Sequence, residues 1–194
     1  MKILIACEYS GIVRDAFKAR GHDATSCDFL QTDKTGKHHK GDVLHLIHQE
    51  NWDMMIAFPP CTYLCSSGLH WNKRRPERQM QTDAALTFVA ILMAAPIDKI
   101  AIENPVGCIS TKIKPASQYV HPHQFGEDAS KKTGLWLKNL PLLTPTKVIP
   151  PDVRGRYANQ TASGQNKLGP SKDRWKIRST TYQGIANAMS EQWG

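Results

Sequence analysis

Met54-Met55-Ile56-Ala57-Phe58-Pro59-Pro60-Cys61 is a short apolar run closed by a double proline and a cysteine. A continuous run of this length, bounded by breakers, reads as a strand buried on both faces. The prolines fix φ and remove N–H donors, so the strand stops there and the cysteine is delivered on a rigid stub. In an open parallel sheet, reactive groups gather in the crevice beyond the carboxyl ends of the strands. Lys99-Ile100-Ala101-Ile102-Glu103-Asn104-Pro105 repeats the plan, with a carboxylate at the end of the run. A thiol and a carboxylate at two strand ends make a nucleophile and a proton donor, the pair that attack on an electrophilic ring requires.

Outward from this stretch the pattern alternates. Lys2–Ala6 reads as a first strand, Ile12–Arg20 as a helix closed by Gly21, and Ala24–Cys27 as a second strand ending at Asp28. Gly41-Asp42-Val43 reads as a turn at the edge of a third strand, and Asp53–Ala57 leads to Cys61. Leu86, Val89, Ala90 and Met93 give Asp83–Ala95 a helical period, with Asp83 or Thr82 as cap and Pro96 as stop. Gly134–Leu137 is a further apolar strand, and Tyr182–Gln192 a closing helix with Ile185, Ala188 and Met189 turned inward. The order predicts an α/β fold, a doubly wound and mostly parallel sheet with helices on both faces and right-handed crossovers. In such a sheet a nucleotide-like cofactor sits at the first strand-to-helix turn, and Asp28, after the second strand, is placed for its ribose hydroxyls. For Asp28 and Asp42 the alternative of plain turn or capping carboxylates stays open.

With 194 residues, 21.7 kDa and 40% hydrophobic residues, the chain has material for one core, and a single catalytic domain over 1–194 is expected. Five cysteines, odd in number and irregular in spacing, argue for a reducing compartment, so the expected location is cytoplasmic. Cys61 and Cys65 are spaced more widely than a zinc knuckle, even with His70 close by, and no metal site is expected. The run Ile3–Cys7 is too short for a signal peptide and no apolar stretch approaches the roughly 20 residues of a membrane span, so no membrane role is expected.

The formal charge of +8 and pI near 9.3 favour a polyanionic partner. Between Thr144 and Arg178, eight Lys/Arg face only Asp152 and Asp173, so this stretch carries most of the excess. It is rich in Pro, Gly, Asn, Gln and Ser and lacks periodicity, and it reads as a basic loop region (about 144–178) able to follow a phosphate backbone, or as a solvated loop. Trp71, Lys73, Arg74, Arg75 and Arg78 suit stacking and phosphate contact beside the cysteine loop, or else a solvated helix start.

Phe58-Pro59-Pro60-Cys61 resembles the Pro-Cys nucleophile loop of the cytosine-5 DNA methyltransferases, and Ile102-Glu103-Asn104-Pro105 resembles their Glu-Asn-Val motif. The resemblance implies a Rossmann-like methyltransferase domain using S-adenosylmethionine. Cys61 would add to carbon 6 of cytosine while Glu103 holds or protonates ring nitrogen 3; carbon 5 then takes the methyl group, and a base removes its proton as the cysteine leaves. Cys7-Glu8-Tyr9-Ser10-Gly11 is similar to the family's Phe-x-Gly-x-Gly turn, with Tyr9 in place of the first glycine. The implied cofactor residues are Glu8, Tyr9, Ser10, Gly11, Asp28, Asp42 and Phe58. The implied substrate residues are Pro60, Asn104, Lys131, Lys132, Arg154 and Arg156, the two lysines standing where the family has the arginines of Gln-x-Arg-x-Arg. Ser179–Met189 is similar to the family's last motif. The large target-recognition domain that normally precedes it is replaced by the basic loop region, which implies DNA as substrate, flipped from a duplex or single-stranded, with specificity reduced or lent by a partner protein. Two other readings accompany this one: carbon-5 modification of a free pyrimidine nucleotide, and a nucleic-acid-binding protein that has lost catalysis on the same scaffold.

Overall fold

The computed structural model describes residues 1–194. Seven strands form one sheet in the order β3-β2-β1-β4-β5-β7-β6. They are β1 (Lys2–Ala6), β2 (Asp23–Asp28), β3 (His38–Lys40), β4 (Met54–Ala57), β5 (Lys99–Pro105), β6 (Gln118–Val120) and β7 (Thr133–Lys138). The first five pair in parallel, and β7 runs antiparallel to both β5 and β6. The helices are α1 (Ile12–Ala19), α2 (Val43–Gln49), α3 (Ser66–Leu69), α4 (Pro76–Met93), α5 (Ile109–Lys112), α6 (Arg174–Ser179) and α7 (Gln183–Trp193). This is the doubly wound, mostly parallel, Rossmann-like sheet that the alternation predicts.

Strand side chains alternate between two cores, and both faces are dry because helices cover both. Leu4, Ala6, Met55, Ala57, Ile100 and Ile102 pack with α2, α4 and α5 residues such as Leu46, Val89 and Ile109. Ile3, Ile5, Met54, Ile56 and Ala101 pack on the other side with Phe17 of α1 and Ile185, Met189 and Trp193 of α7. The order in which strands are laid down reverses between β1 and β4, so a crevice opens beyond their carboxyl ends.

Three local readings change. Helix α4 starts at Pro76, a residue suited to a first turn, instead of at a cap near position 82. Thr82 is buried mid-helix, where its hydroxyl donates to the Tyr63 carbonyl at 3.0 Å, so its polar group serves a tertiary contact. β5 continues past Glu103 to Pro105, because β7 pairs along it as far as that residue. The basic region is not all loop: it contains α6, a bridge between Gln160 and Asn166, and a turn in which Asp152 Oδ1 accepts the Arg154 and Arg156 N–H groups at 2.9 Å each. Asn159 ties the region to the body, accepting from Ser130 N and donating to Ser130 O, both at 2.9 Å. No helix is long and apolar enough to cross a membrane.

The turn after β1 shows why the sheet end is rigid. Cys7 takes a left-handed φ of 58°, uncommon without glycine, and Gly11 another at 70°, where a Cβ would collide with the Arg14 guanidinium. Arg14 is fully buried and donates to Asp15 Oδ1 (2.8 Å), Ser26 Oγ (3.2 Å), Thr32 Oγ1 (3.4 Å) and the Thr35 carbonyl (3.1 Å). A desolvated guanidinium is tolerated only with this many acceptors, and it pins the 29–37 loop over α1.

Candidate active site

The residues after β4 form a tight turn: Leu64 N and Cys65 N both donate to the Cys61 carbonyl at 3.0 Å. Cys61 and Cys65 therefore sit one α-turn apart on the same side. The loop is fastened from two directions. Arg78 of α4 donates to the Thr62 carbonyl at 2.7 Å and the Gly68 carbonyl at 3.3 Å. On the β5 side, Ser66 N donates to Val106 O at 3.0 Å, Cys108 N to Leu64 O at 2.9 Å, and Asn104 Nδ2 to Pro59 O at 2.7 Å. A Cβ at Gly107 would overlap the Leu64 carbonyl oxygen, so only glycine lets the loops after β4 and β5 approach this closely. Strand-end cysteine and strand-end glutamate are thereby held in a fixed relation.

Their environments make a reactive set. Lys131 Nζ lies 4.0 Å from Glu103 Oε1, with Glu103 mostly buried and Lys131 about one-third exposed. The hydrogen bond with Cys65 and then burial hold the Cys61 proton in place, and the same ammonium offsets them only in part. The first influence on Cys61 is Cys65: the two thiols interact, the Cys61 proton is held tightly and Cys65 is pulled down to about 5. Ser67 Oγ, 3.1 Å from Cys65 Sγ, and the Ser67 and Gly68 N–H groups stabilise that charge further. Other thiols differ. Burial and the Asp28 charge push Cys7 up, the same causes push Cys27 up to about 12, and burial raises Cys108. Among the five cysteines, the Cys61–Cys65 pair is the one that gives up a proton readily.

Beside this set, at the crevice between β1 and β4, lies a cleft of about 460 Å³. Asp28, Phe29, Asp42, Val43, Pro60 and Phe88 are among its lining residues. Asp28 accepts Leu30 N at 2.9 Å, and burial pushes its carboxyl up. Asp42 uses Oδ1 to cap α2 through Leu44 N at 2.9 Å. Phe29 leaves 72% of its surface exposed at the rim, an open aromatic face beside a carboxylate. An apolar cleft of this size with two carboxylates at successive strand ends could hold a nucleoside-like group.

Of the residues named from sequence, Asp28, Asp42 and Pro60 line this cleft, while Glu8, Tyr9, Ser10, Gly11 and Phe58 do not. Glu8 is buried and turned toward α1: Oε1 accepts Val13 N at 2.7 Å and Ser10 Oγ at 3.1 Å, and Oε2 accepts Arg14 N at 3.4 Å. Tyr9 is buried under α6, donating to the Lys176 carbonyl at 2.8 Å with Trp175 6.0 Å from its ring. Gly11 is the α1 cap residue, and Phe58 packs on the α1–α7 side of the sheet. Lys131 joins Glu103, whereas Lys132 points to the Tyr119 ring, 4.7 Å away. Arg154 and Arg156 stand in the Asp152 turn of the basic region. Sequence reading gives no active-site role to Cys65, Phe29 or Phe88; the adjacency of Phe29 to Asp28 is the one signal that could have found Phe29. No group of three or more His, Cys, Asp or Glu is arranged to hold a metal ion.

No protein-family model matches the chain, and no curated protein matches it. Among solved structures it is similar to a prophage-encoded protein assigned, without a demonstrated activity in its description, as a DNA modification methyltransferase (E. coli), with a TM-score of 0.48 and 13% identity over 79% of this chain and 53% of that one. The chain thus spans about half the length of the solved structure it matches.

Proposed function

We propose that this chain methylates carbon 5 of cytosine in DNA, using S-adenosylmethionine and a transient bond between Cys61 and the base. The observation that carries the reading is the meeting of Cys61, Glu103 and Lys131 beside a nucleoside-sized cleft at the sheet's switch point. Asp28 would hold the ribose, Phe29, Val43 and Phe88 the adenine, and Asp42 the polar edge of the ring. Bound there, S-adenosylmethionine supplies an electrophilic methyl group.

The chain's own residues supply the rest. The Cys61 proton passes to the Cys65 sulfur, and Cys61 Sγ bonds carbon 6 of cytosine. Electron density moves toward ring nitrogen 3, where a proton that the Glu103 carboxylate takes up from solvent as the base enters neutralises it and leaves carbon 5 nucleophilic. Lys131 pairs with the Glu103 carboxylate before and after that transfer. After methylation a base takes the proton from carbon 5, the proton on ring nitrogen 3 returns to Glu103 as the S–C6 bond breaks, and Cys61 recovers its proton from Cys65. Asn104 serves by clamping Pro59, which fixes the distance between thiol and carboxylate.

Incubation with methyl-labelled S-adenosylmethionine and cytosine-bearing oligonucleotides tests the reading; label at carbon 5 supports it, and label found only on free cytosine nucleotides replaces DNA by the nucleotide as substrate. The role of Cys65 has its own signature in pH. Lowered toward about 5 by the Cys61 thiol, Cys65 keeps the pair singly deprotonated above that pH, and activity falls as pH drops through it. In Cys65→Ser the proton acceptor is gone and the acidic limb of kcat/KM moves upward toward or beyond the ordinary thiol range. An unmoved limb in that variant removes Cys65 from the mechanism.

A further inference from the structure

We infer that the strand presented to Cys61 is single-stranded DNA, stacked on an aromatic platform centred on Trp71; this deepens the proposed function and rests on it. Trp71 follows the nucleophile loop and keeps 40% of its surface exposed. Arg74 and Arg75 lie over its ring, at 5.6 and 5.4 Å from the centroid, and His70 is 4.9 Å away. The cluster is built, because Arg74 N and Arg75 N both close onto the Trp71 carbonyl at 3.0 Å. It is also tied to the nucleophile loop: Asn72 Nδ2 donates to Thr82 Oγ1 at 2.9 Å, and that hydroxyl donates to Tyr63 O at 3.0 Å.

A second exposed aromatic stands across β7 from the end of β5, on the sheet face opposite Glu103. Tyr119 is 38% exposed under Lys132, with its hydroxyl 3.0 Å from Ser110 Oγ. It pairs with Gly134, which pairs with Asn104, so it lies two strand spacings, about 10 Å, from β5. The Trp71 cluster thus adjoins the nucleophile loop, and the Tyr119 cluster lies beyond β7 on the Asn104 face. Bases within a duplex cover each other's faces; only unstacked bases offer a π-face to indole, phenol or guanidinium. Cations beside such platforms meet the phosphates of the same strand. A single strand also reaches Cys61 without the cost of extruding a paired base.

Tryptophan fluorescence reads this directly, because Trp52, Trp136 and Trp193 are buried and only Trp71 and Trp175 are exposed. In a Trp175→Phe background, a dT oligomer of about twelve nucleotides quenches the Trp71 emission on binding, and a duplex of equal length binds more weakly. Trp71→Ala raises the Kd for the oligomer about 5- to 150-fold, the effect of removing the stack under one base, without altering the salt dependence, while Trp71→Phe retains most of the affinity. Arg74→Glu with Arg75→Glu lowers the log–log salt slope by about 0.7 for each phosphate that the two arginines neutralise in the wild-type protein. Equal or tighter duplex binding with Trp71 emission unchanged overturns the inference, as does unchanged affinity in Trp71→Ala. Duplex methylation unaffected by Trp71→Ala would sink the platform and keep the chemistry, whereas oligomer binding without any methyl transfer would sink the chemistry and keep the platform.

Discussion

Replacement of Cys61 by alanine removes methyl transfer altogether and leaves the fold and nucleic-acid binding in place. The loop does not rely on the thiol for its shape: the Thr62 and Gly68 carbonyls are held by Arg78, the Tyr63 carbonyl by Thr82, and the Leu64 carbonyl by Cys108 N. What disappears is the atom that bonds carbon 6, without which carbon 5 has no nucleophilic character to offer. Cys65 cannot replace it, since its sulfur is engaged by Ser67 Oγ at 3.1 Å one turn further on. Radiolabel transfer at saturating cofactor, beside circular dichroism of the variant, checks both halves of the expectation. Turnover near the wild-type rate in Cys61→Ala would remove covalent attack from the mechanism.

Glu103→Gln has the second largest effect, a fall in kcat of about 10²- to 10⁴-fold, the usual contribution of a positioned general acid. Glutamine keeps the shape and can donate a hydrogen bond, but it has no proton to surrender to ring nitrogen 3. Cofactor affinity stays as it was, because Glu103 belongs to a different cavity, with Val120, Thr133, Tyr182 and Ile185 among its lining residues, and does not line the cleft that holds Asp28 and Phe29. Calorimetry with S-adenosylmethionine separates the two roles. A variant with weakened cofactor affinity and an undiminished single-turnover rate would move Glu103 to the cofactor site.

The legible part of the fold was the part set by short-range patterns. Apolar runs ending at Cys61 and Glu103 mark β4 and β5 because a buried parallel strand needs both faces apolar and a breaker ends it. Alternation of strand and helix then leads to the doubly wound sheet. The start of α4 was hidden because Thr82 and Asp83 look like caps locally, while Thr82 is spent on Tyr63, a partner nineteen residues away in the chain. Cys65 was hidden for a similar reason. A four-residue spacing means little until a turn is known, and it is the turn at the Cys61 carbonyl that brings the two thiols together. Glu8 shows the converse: beside a glycine-containing turn it suggests a cofactor contact, yet its carboxylate caps α1 through Val13 and Arg14. The basic segment was legible in charge and not in shape, because what orders it is Asn159 gripping Ser130 across twenty-nine residues.

The central claim is that Cys61 forms a bond with the cytosine ring, and trapping with 5-fluorocytosine tests it most directly. An oligonucleotide carrying that base, incubated with the protein and S-adenosylmethionine, should be methylated at carbon 5 and then stall, since fluorine cannot leave as a proton does. Digestion and mass spectrometry should place the adduct on the peptide containing Cys61, at the Cys61 sulfur, and the Cys61→Ala protein should give none. An adduct on Cys65 or elsewhere, or methyl transfer to ordinary cytosine with no trapped species on the fluorinated base, would contradict the account.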